Sequence, residues 1–128
     1  MRKINILAVD DDMVNLKLLE VMLRKNPNLG QIIKAGNGLE ALNVIDSGAP
    51  VDLVLLDIVM PIMNGLEFLD NLQSREDKSS IPVIVLTTDE TIKREAFNKG
   101  AYDFLTKPIF EKDLTAKINE VYNIIVGQ

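Results

Sequence analysis

Short apolar runs alternate along the chain with longer segments in which apolar residues recur three or four positions apart. The short runs are typical of buried strands, and the periodic segments are typical of helices. Strands are predicted at 4–9, 32–35, 51–56, 83–86 and 103–106, and helices near 14–22, 39–45, 66–72, 89–99 and 114–125. This alternation predicts an α/β fold, in which helices cover both faces of a parallel sheet.

The ends of the predicted helices coincide with residues that commonly cap helices. Asp12 precedes the first helix and is suited to cap its amino terminus. Gly100 is suited to end the fourth helix, and the polar residues 74–80 predict a loop after the third. The first helix itself is predicted from four apolar residues at helical spacing: Val14, Leu18, Val21 and Met22.

The size and composition of the chain indicate one globular domain. Its 128 residues are 47% hydrophobic and 26% charged, which provides for one substantial core. We therefore expect a single domain spanning residues 1–128. No apolar run approaches the roughly 20 residues of a membrane span, and the first run is too short for a signal peptide. We therefore expect no membrane contact and a cytoplasmic location.

Charge and residue usage exclude several classes of function. The chain has neither cysteine nor histidine. Disulfides, thiolate sites, imidazole general bases, Ser-His-Asp triads and histidine-ligated zinc are therefore excluded. The formal net charge of −5 argues against nucleic acid as a direct ligand, because phosphate backbones bind basic patches.

Chemically active side chains follow four of the five predicted strands. A run of three aspartates follows the first strand, one aspartate ends the third, two threonines end the fourth and a lysine follows the fifth. In chain order these residues are Asp10, Asp11, Asp12, Asp57, Thr87, Thr88 and Lys107. The carboxyl ends of parallel strands lie at one edge of a sheet, where ligands of such folds bind. We therefore expect these side chains to converge in one cleft.

The predicted cleft holds more negative than positive charge. Carboxylates that share a cleft repel one another unless a cation relieves the repulsion, and Lys107 supplies only one positive charge. Mg²⁺ takes one or two carboxylates directly and leaves positions for phosphate oxygens. A carboxylate can also act as the nucleophile in phosphoryl transfer, which otherwise needs positioning and charge neutralisation. The pattern therefore favours metal-assisted phosphoryl transfer to an aspartate.

Five short motifs follow one another along the chain: LAVDDD at 7–12, LLDIVMP at 55–61, MNG at 63–65, LTT at 86–88 and LTKP at 105–108. Together they resemble the receiver domain of bacterial two-component response regulators, in order and in spacing. The resemblance extends over essentially the whole chain. It implies a flavodoxin-like, doubly wound (βα)5 sandwich with a five-stranded parallel sheet of order 2-1-3-4-5.

The resemblance assigns an acceptor and a metal site. It implies that Asp57 is the residue that takes the phosphoryl group. It also implies bound Mg²⁺, with Mn²⁺ as an alternative, held by the side chains of Asp11 and Asp57. Val59 would contribute its backbone carbonyl, and Asp10 would bind the ion directly or through water.

The resemblance also assigns residues that respond to the phosphoryl group. Thr87 would hydrogen-bond one phosphoryl oxygen, and Lys107 would pair with another. Phe104 occupies the aromatic switch position of the family, in which the ring turns inward as the threonine is drawn toward the phosphate. This movement would reshape the surface of the fourth helix, fifth strand and fifth helix. The Lys107–Pro108 peptide bond is expected to be cis, as in the family.

The implied partners are proteins. Because the chain has no histidine, the phosphoryl group must come from another protein or domain, which the resemblance implies is a histidine kinase or a histidine phosphotransfer domain. The output partner or output domain is unknown. Family members often dimerise through the switch surface, so a homodimer is one expectation. The chain is expected to catalyse only its own phosphorylation and dephosphorylation, and not to be an enzyme on other substrates.

Simpler structural roles remain open for several of these residues. Asp10 and Asp11 taken alone fit a solvated acidic turn. Thr87-x-x-Glu90 fits a capping box at the start of the fourth helix. Phe104 also fits an ordinary core position on its strand.

Other functions remain open as well. Receiver-like domains can act as binding modules that no longer use phosphate. A flavin-binding domain would need a hydroxyl- and glycine-rich loop after the first strand, where this chain has three aspartates. A phosphatase of the haloacid dehalogenase type would need a second aspartate two places after Asp57, where this chain has Val59.

Overall fold

The structure is a computed structural model that describes residues 2–127; the predicted domain limits, Met1 and Gln128, lie outside these residues. Within them, strands and helices alternate as predicted. The strands are β1 (Ile4–Val9), β2 (Leu29–Ala35), β3 (Leu53–Asp57), β4 (Val83–Thr87) and β5 (Asp103–Thr106). The helices are α1 (Met13–Leu23), α2 (Gly38–Asp46), α3 (Gly65–Gln73), α4 (Lys93–Asn98) and α5 (Glu111–Val126), with a 3₁₀ turn (Glu90–Ile92) before α4.

The five strands form one parallel sheet of order β2-β1-β3-β4-β5, which confirms the predicted topology. The strand order reverses between β1 and β3, and ligands of doubly wound sheets bind at this point. The register places Asp57 opposite Leu86, and Thr87 opposite Thr106. The sheet therefore brings the carboxyl ends of β3, β4 and β5 to one level.

Apolar side chains alternate between the two faces of the sheet and form a core on each. On one face, Leu7, Val54 and Leu56 pack with residues of α2, α3 and α4. On the other, Ile6 and Leu55 pack with residues of α1 and α5. No helix within residues 2–127 is long and apolar enough to cross a membrane.

The helix predicted from four apolar residues is present as α1, but three of the four, Val14, Leu18 and Val21, do not form its buried face. Val14 and Leu18 are 67% and 56% exposed, and Val21 is also largely exposed. The buried residues are Leu16, Leu19, Glu20 and Leu23. They also recur at helical spacing, and the helix is apolar on both sides, so spacing alone did not decide which side packs on the sheet.

Cap residues at two helices are as predicted. The carboxylate of Asp12 accepts hydrogen bonds from the backbone N–H groups of Val14 and Asn15 at the start of α1. Gly100 has a φ of 102° after α4. Its N–H donates to the carbonyl of Phe97, and the next N–H donates to the carbonyl of Ala96, so glycine serves the left-handed turn that ends this helix.

Three element boundaries differ from the prediction. Strand β2 begins at Leu29, because its polar first half pairs with β1 and the side chain of Asn5 accepts a hydrogen bond from the N–H of Gln31. Strand β3 begins at Leu53, since the Asp52 carboxylate binds the N–H of Asn5 and the guanidinium of Arg2. The helix predicted at 89–99 is divided into the 3₁₀ turn and the short α4.

Candidate functional site

Two aspartates are buried where the central strands of the sheet end. Asp10 directly follows β1 and is almost fully buried, and one of its carboxylate oxygens accepts a 2.9 Å hydrogen bond from the N–H of Asp12. Asp57 is the last residue of β3 and is 7% exposed. Asp11 lies beside them with an exposed side chain. The turn between β1 and α1 therefore places the carboxylates of Asp10 and Asp11 next to Asp57 at the end of β3.

The three carboxylates are close enough to share an ion. One oxygen from each of Asp10, Asp11 and Asp57 lies within 4.8 Å of the other two. Carboxylate oxygens are the ligands that a hard divalent cation such as Mg²⁺ prefers, and the exposed side of Asp11 leaves room for water and further oxygen ligands. The donor set therefore fits a magnesium-type ion.

Lys107 supplies the positive charge of the same site. Its Nζ lies 3.2 Å from Asp57 Oδ1 and 3.5 Å from Asp10 Oδ2. The lysine is held from the backbone as well, because its N–H donates a 2.9 Å hydrogen bond to the carbonyl of Thr87. The Lys107–Pro108 peptide bond is cis, as predicted. We call Asp10, Asp11, Asp57 and Lys107 the acidic pocket.

The acidic pocket has too little positive charge for its buried carboxylates. Burial raises the pKa of Asp57, and the neighbouring charge of Asp10 raises it further. The ammonium of Lys107 opposes this rise without cancelling it, and so does a hydrogen bond from the backbone of Ile58. Ionised Asp57 is therefore held at an electrostatic cost that a bound cation would relieve.

Thr87 ends β4 at the same edge of the sheet, and its side chain is buried. Its hydroxyl oxygen accepts a 3.0 Å hydrogen bond from the N–H of Asp89. The capping box between Thr87 and Glu90, which the sequence left open as an alternative, is not formed. The turn after β4 is instead capped by Asp89, whose carboxylate accepts from the N–H of Thr91, because the chain becomes helical only at Glu90.

Phe104, at the predicted switch position, lies inside the protein and is 7% exposed. Its ring meets the ring of Phe97 edge to face, with 4.6 Å between centroids. The Nζ of Lys93 lies 5.7 Å from the Phe104 centroid. A core position is therefore confirmed, and movement of the ring as a switch stays a prediction.

The loop between β3 and α3 wraps closely around Asp57. Val59 has an exposed side chain and lies two residues after Asp57. Gly65 begins α3, and its N–H donates to the carbonyl of Ile58. A Cβ atom at Gly65 would lie 2.7 Å from the Asp57 carbonyl oxygen, so glycine is required by this close approach. This packing restricts the backbone conformation at Asp57.

A sequence model of the response regulator receiver domain matches residues 6–119. The chain belongs to the receiver domain family of response regulators. This receiver domain is 41% identical over 118 residues to protein PilH of Pseudomonas aeruginosa, covering 91% of the chain and 95% of PilH. It is 35% identical over 123 residues to the cyclic di-GMP phosphodiesterase response regulator RpfG of Xanthomonas campestris, covering 94% of the chain but only 32% of RpfG.

Solved receiver structures have the same fold. A putative response regulator from Chloroflexus aurantiacus superposes with a TM-score of 0.86 at 27% identity, covering 94% of this chain and 98% of that one. The response regulator domain of Thermotoga maritima CheB superposes with a TM-score of 0.83 at 31% identity, covering 95% and 98%. These matches confirm the flavodoxin-like sandwich predicted for this receiver domain and its place in two-component signalling.

One polar cluster beside the site gave no signal in the sequence. Glu90 in the 3₁₀ turn binds both Thr106 at the end of β5 and Lys93 at the start of α4. Thr106 lies in the last of the five motifs, but Glu90 and Lys93 belong to none of them, and the contact among the three depends on how the turn after β4 folds back toward β5. From the sequence, the role open to Glu90 was that of capping-box partner to Thr87.

Proposed function

We propose that this receiver domain takes a phosphoryl group onto the carboxylate of Asp57 from the phosphohistidine of a histidine kinase or a histidine phosphotransfer domain. The observation that carries the proposal is the position of Lys107, whose ammonium contacts Asp57 and Asp10, the two buried carboxylates of the acidic pocket. In such a transfer a carboxylate oxygen forms a bond to phosphorus while the bond from phosphorus to the histidine nitrogen breaks, and the donor imidazole leaves.

Each residue of the pocket has a role in this reaction. Lys107 contacts Asp57 Oδ1 and can pair with a phosphoryl oxygen as negative charge builds up there. Thr87 accepts a hydrogen bond from Asp89, so its own hydroxyl proton remains available to a second phosphoryl oxygen. Burial of Asp57 excludes water from the side of the acceptor that faces the protein.

Mg²⁺, or Mn²⁺ as an alternative, would be held by the side chains of Asp11 and Asp57 and by the backbone carbonyl of Val59. Asp10 would bind the ion directly or through water. The ion would neutralise charge on the phosphoryl oxygens during transfer. The convergence of the three carboxylate oxygens within 4.8 Å favours this assignment.

Signal output would follow from the surface of α4, β5 and α5, with Thr87 and Phe104 as the switch residues. We propose that residues 1–128 work as a single receiver domain in the cytoplasm and catalyse only their own phosphorylation and dephosphorylation. A partner protein or an output domain would recognise the switch surface, and a homodimer could form through it. RpfG is about three times as long as the segment that this chain matches, so its phosphodiesterase activity is not assigned to this receiver domain.

The proposal is tested by incubating the chain with MgCl₂ and acetyl phosphate and measuring its intact mass. We expect the wild type to gain one phosphoryl mass and Asp57→Asn to gain none. Asp52→Asn, which removes a carboxylate from the opposite edge of the sheet, is the matched control and should gain the same mass as the wild type. A wild type that stays unmodified, under conditions that modify a known receiver domain, would contradict the proposal.

A further inference from the structure

Three polar side chains tie the segment after β4 to the end of β5. Glu90 Oε1 accepts a 2.9 Å hydrogen bond from the hydroxyl of Thr106. The other carboxylate oxygen of Glu90 pairs with the ammonium of Lys93. We call Glu90, Lys93 and Thr106 the latch. It joins the 3₁₀ turn, the first residue of α4 and the last residue of β5.

The latch lies against the ring of Phe104. The Lys93 ammonium, held by Glu90, lies 5.7 Å from the centroid of the ring, within the range of a cation–π contact. Phe97 of α4 covers the ring edge to face and is itself 49% exposed. The burial of Phe104 therefore depends on α4 staying close to β5, and the latch connects these two elements.

The latch also adjoins both groups expected to contact a phosphoryl group. Glu90 follows Asp89, whose N–H donates to the Thr87 hydroxyl oxygen. Thr106 precedes Lys107, whose N–H donates to the Thr87 carbonyl. Within residues 2–127, however, no hydrogen bond or ion pair joins a latch side chain to the acidic pocket. The contacts that bury Phe104 are thus separate from the charge on Asp57.

We infer that Glu90 is a positioning residue, which holds the segment after β4 on β5 and thereby keeps Phe104 buried and the Thr87 hydroxyl in place without requiring a phosphoryl group on Asp57. The ring of this receiver domain would then occupy its inner position before transfer. Each contact of the latch is partly exposed and individually weak, so its loss should shift the balance between inner and outer ring positions by roughly threefold rather than abolish either.

The inference on the ring is tested without any phosphodonor. The chain has four phenylalanines, so labelling with 4-fluorophenylalanine gives four fluorine NMR signals, and Phe104→Leu identifies the one from Phe104. The change in its chemical shift between H₂O and D₂O measures exposure of the ring. We expect this change to at least double in Glu90→Ala and Thr106→Val. Thr106→Ser keeps the hydroxyl and should return the wild-type value.

The matched control is Asp46→Asn, which disrupts another exposed ion pair, with Arg75, far along the chain from the latch. It should leave the Phe104 signal unchanged. If Glu90→Ala and Thr106→Val give the wild-type signal, or if Asp46→Asn shifts it equally, the latch does not hold the ring and the inference is wrong.

The inference on Thr87 rests on the proposed function and is tested by the rate of mass gain with acetyl phosphate at saturating Mg²⁺. Glu90→Ala should slow phosphorylation roughly threefold and still reach full modification, whereas Thr106→Ser and Asp46→Asn should match the wild type. An unchanged rate in Glu90→Ala would overturn this part. A wild type that never gains the phosphoryl mass would overturn the proposed function instead, while the NMR result would still decide the role of the latch.

Discussion

At the scale of single residues, Asp57 is shaped by opposing electrostatic effects. Its burial and the nearby Asp10 both favour the protonated carboxyl, whereas Lys107, 3.2 Å away, favours the carboxylate. The result is a pKa above the ordinary range of aspartate. The ionised form of Asp57 therefore costs stability, and a cation bound beside it would lower that cost.

Asp57→Asn should therefore stabilise the protein at neutral pH. Because the folded pKa is raised, the folded chain binds the proton more tightly than the unfolded chain, and the stability of the wild type falls as pH rises through the folded pKa. With EDTA present at pH 7, we expect the free energy of unfolding of the variant to be higher by about 1–2 kcal/mol. Lys107 keeps Asp10 as its partner in the variant.

Urea unfolding at several pH values measures this difference. The difference should shrink as the pH falls toward the ordinary aspartate pKa of about 3.9 and disappear about one pH unit below it, where the carboxyl is protonated in both folded and unfolded chains. Asp11→Asn is the control, because the Asp11 side chain is exposed and should contribute little. An Asp57→Asn variant that is less stable than the wild type at pH 7 would show that the ion pair with Lys107 outweighs the cost of burial.

The residues of the acidic pocket could be predicted because strand ends determine where they lie. Asp10 and Lys107 directly follow β1 and β5, and Asp57 is the last residue of β3, so a parallel sheet leaves these residues little freedom. The bonding of Thr87 could not be predicted in the same way. Asp89 and Thr87 both suit a helix cap, and the choice between them depends on the backbone angles of the turn after β4.

At the scale of elements, α1 shows that apolar spacing can predict a helix without showing which of its sides packs on the sheet. The two sides of this helix both carry apolar residues three or four positions apart, and the buried side includes the charged residue Glu20. The Glu20 carboxylate accepts hydrogen bonds from Arg24 and Lys34, which lower its pKa to about 2. The charged Glu20 is thus tolerated on the inner side because Arg24, directly after α1, and Lys34, on β2, pair with it. A pattern of apolar positions does not reveal such pairing.

Two leucines next to each other in α1 provide a direct test of which side packs on the sheet. Leu19 is 4% exposed, whereas Leu18 is 56% exposed. Leu19→Ala should lower the free energy of unfolding by roughly 2–4 kcal/mol, because it removes buried methyl groups and leaves a cavity. Leu18→Ala should change it by less than about 0.5 kcal/mol. Thermal or urea unfolding measures both, and equal losses in the two variants would contradict the observed orientation of α1.

At the scale of the whole molecule, the acidic pocket should couple ion binding to folding. The unfolded chain does not hold the three carboxylates within reach of one ion, so Mg²⁺ should bind the folded state selectively.

The strand order of the sheet could be expected from the resemblance, and the alternation of strands and helices from the apolar pattern. The polar first half of β2 could not, because its pairing with β1 relies on backbone and Asn5 contacts.

Mg²⁺ should raise the melting temperature of the wild type. At ten times its dissociation constant the ion should add about 1.4 kcal/mol, which corresponds to roughly 4–7 °C for a chain of this size. Asp57→Asn and Asp11→Asn should lose most of this increase, whereas Asp46→Asn should retain it. The measurement is differential scanning fluorimetry against NaCl at equal ionic strength; an increase that survives in both pocket variants would place the ion elsewhere.

The pocket is assembled from distant parts of the chain, since Lys107 and Asp10 are 97 positions apart in sequence. A nascent chain still lacking β5 would already contain Asp57 but would have no ammonium beside it. The acidic pocket would therefore become complete only after β5 and Lys107 have been synthesised and β5 has joined the sheet. Chains that lack β5 would then be unable to accept phosphoryl groups and would not compete with complete chains for the phosphodonor.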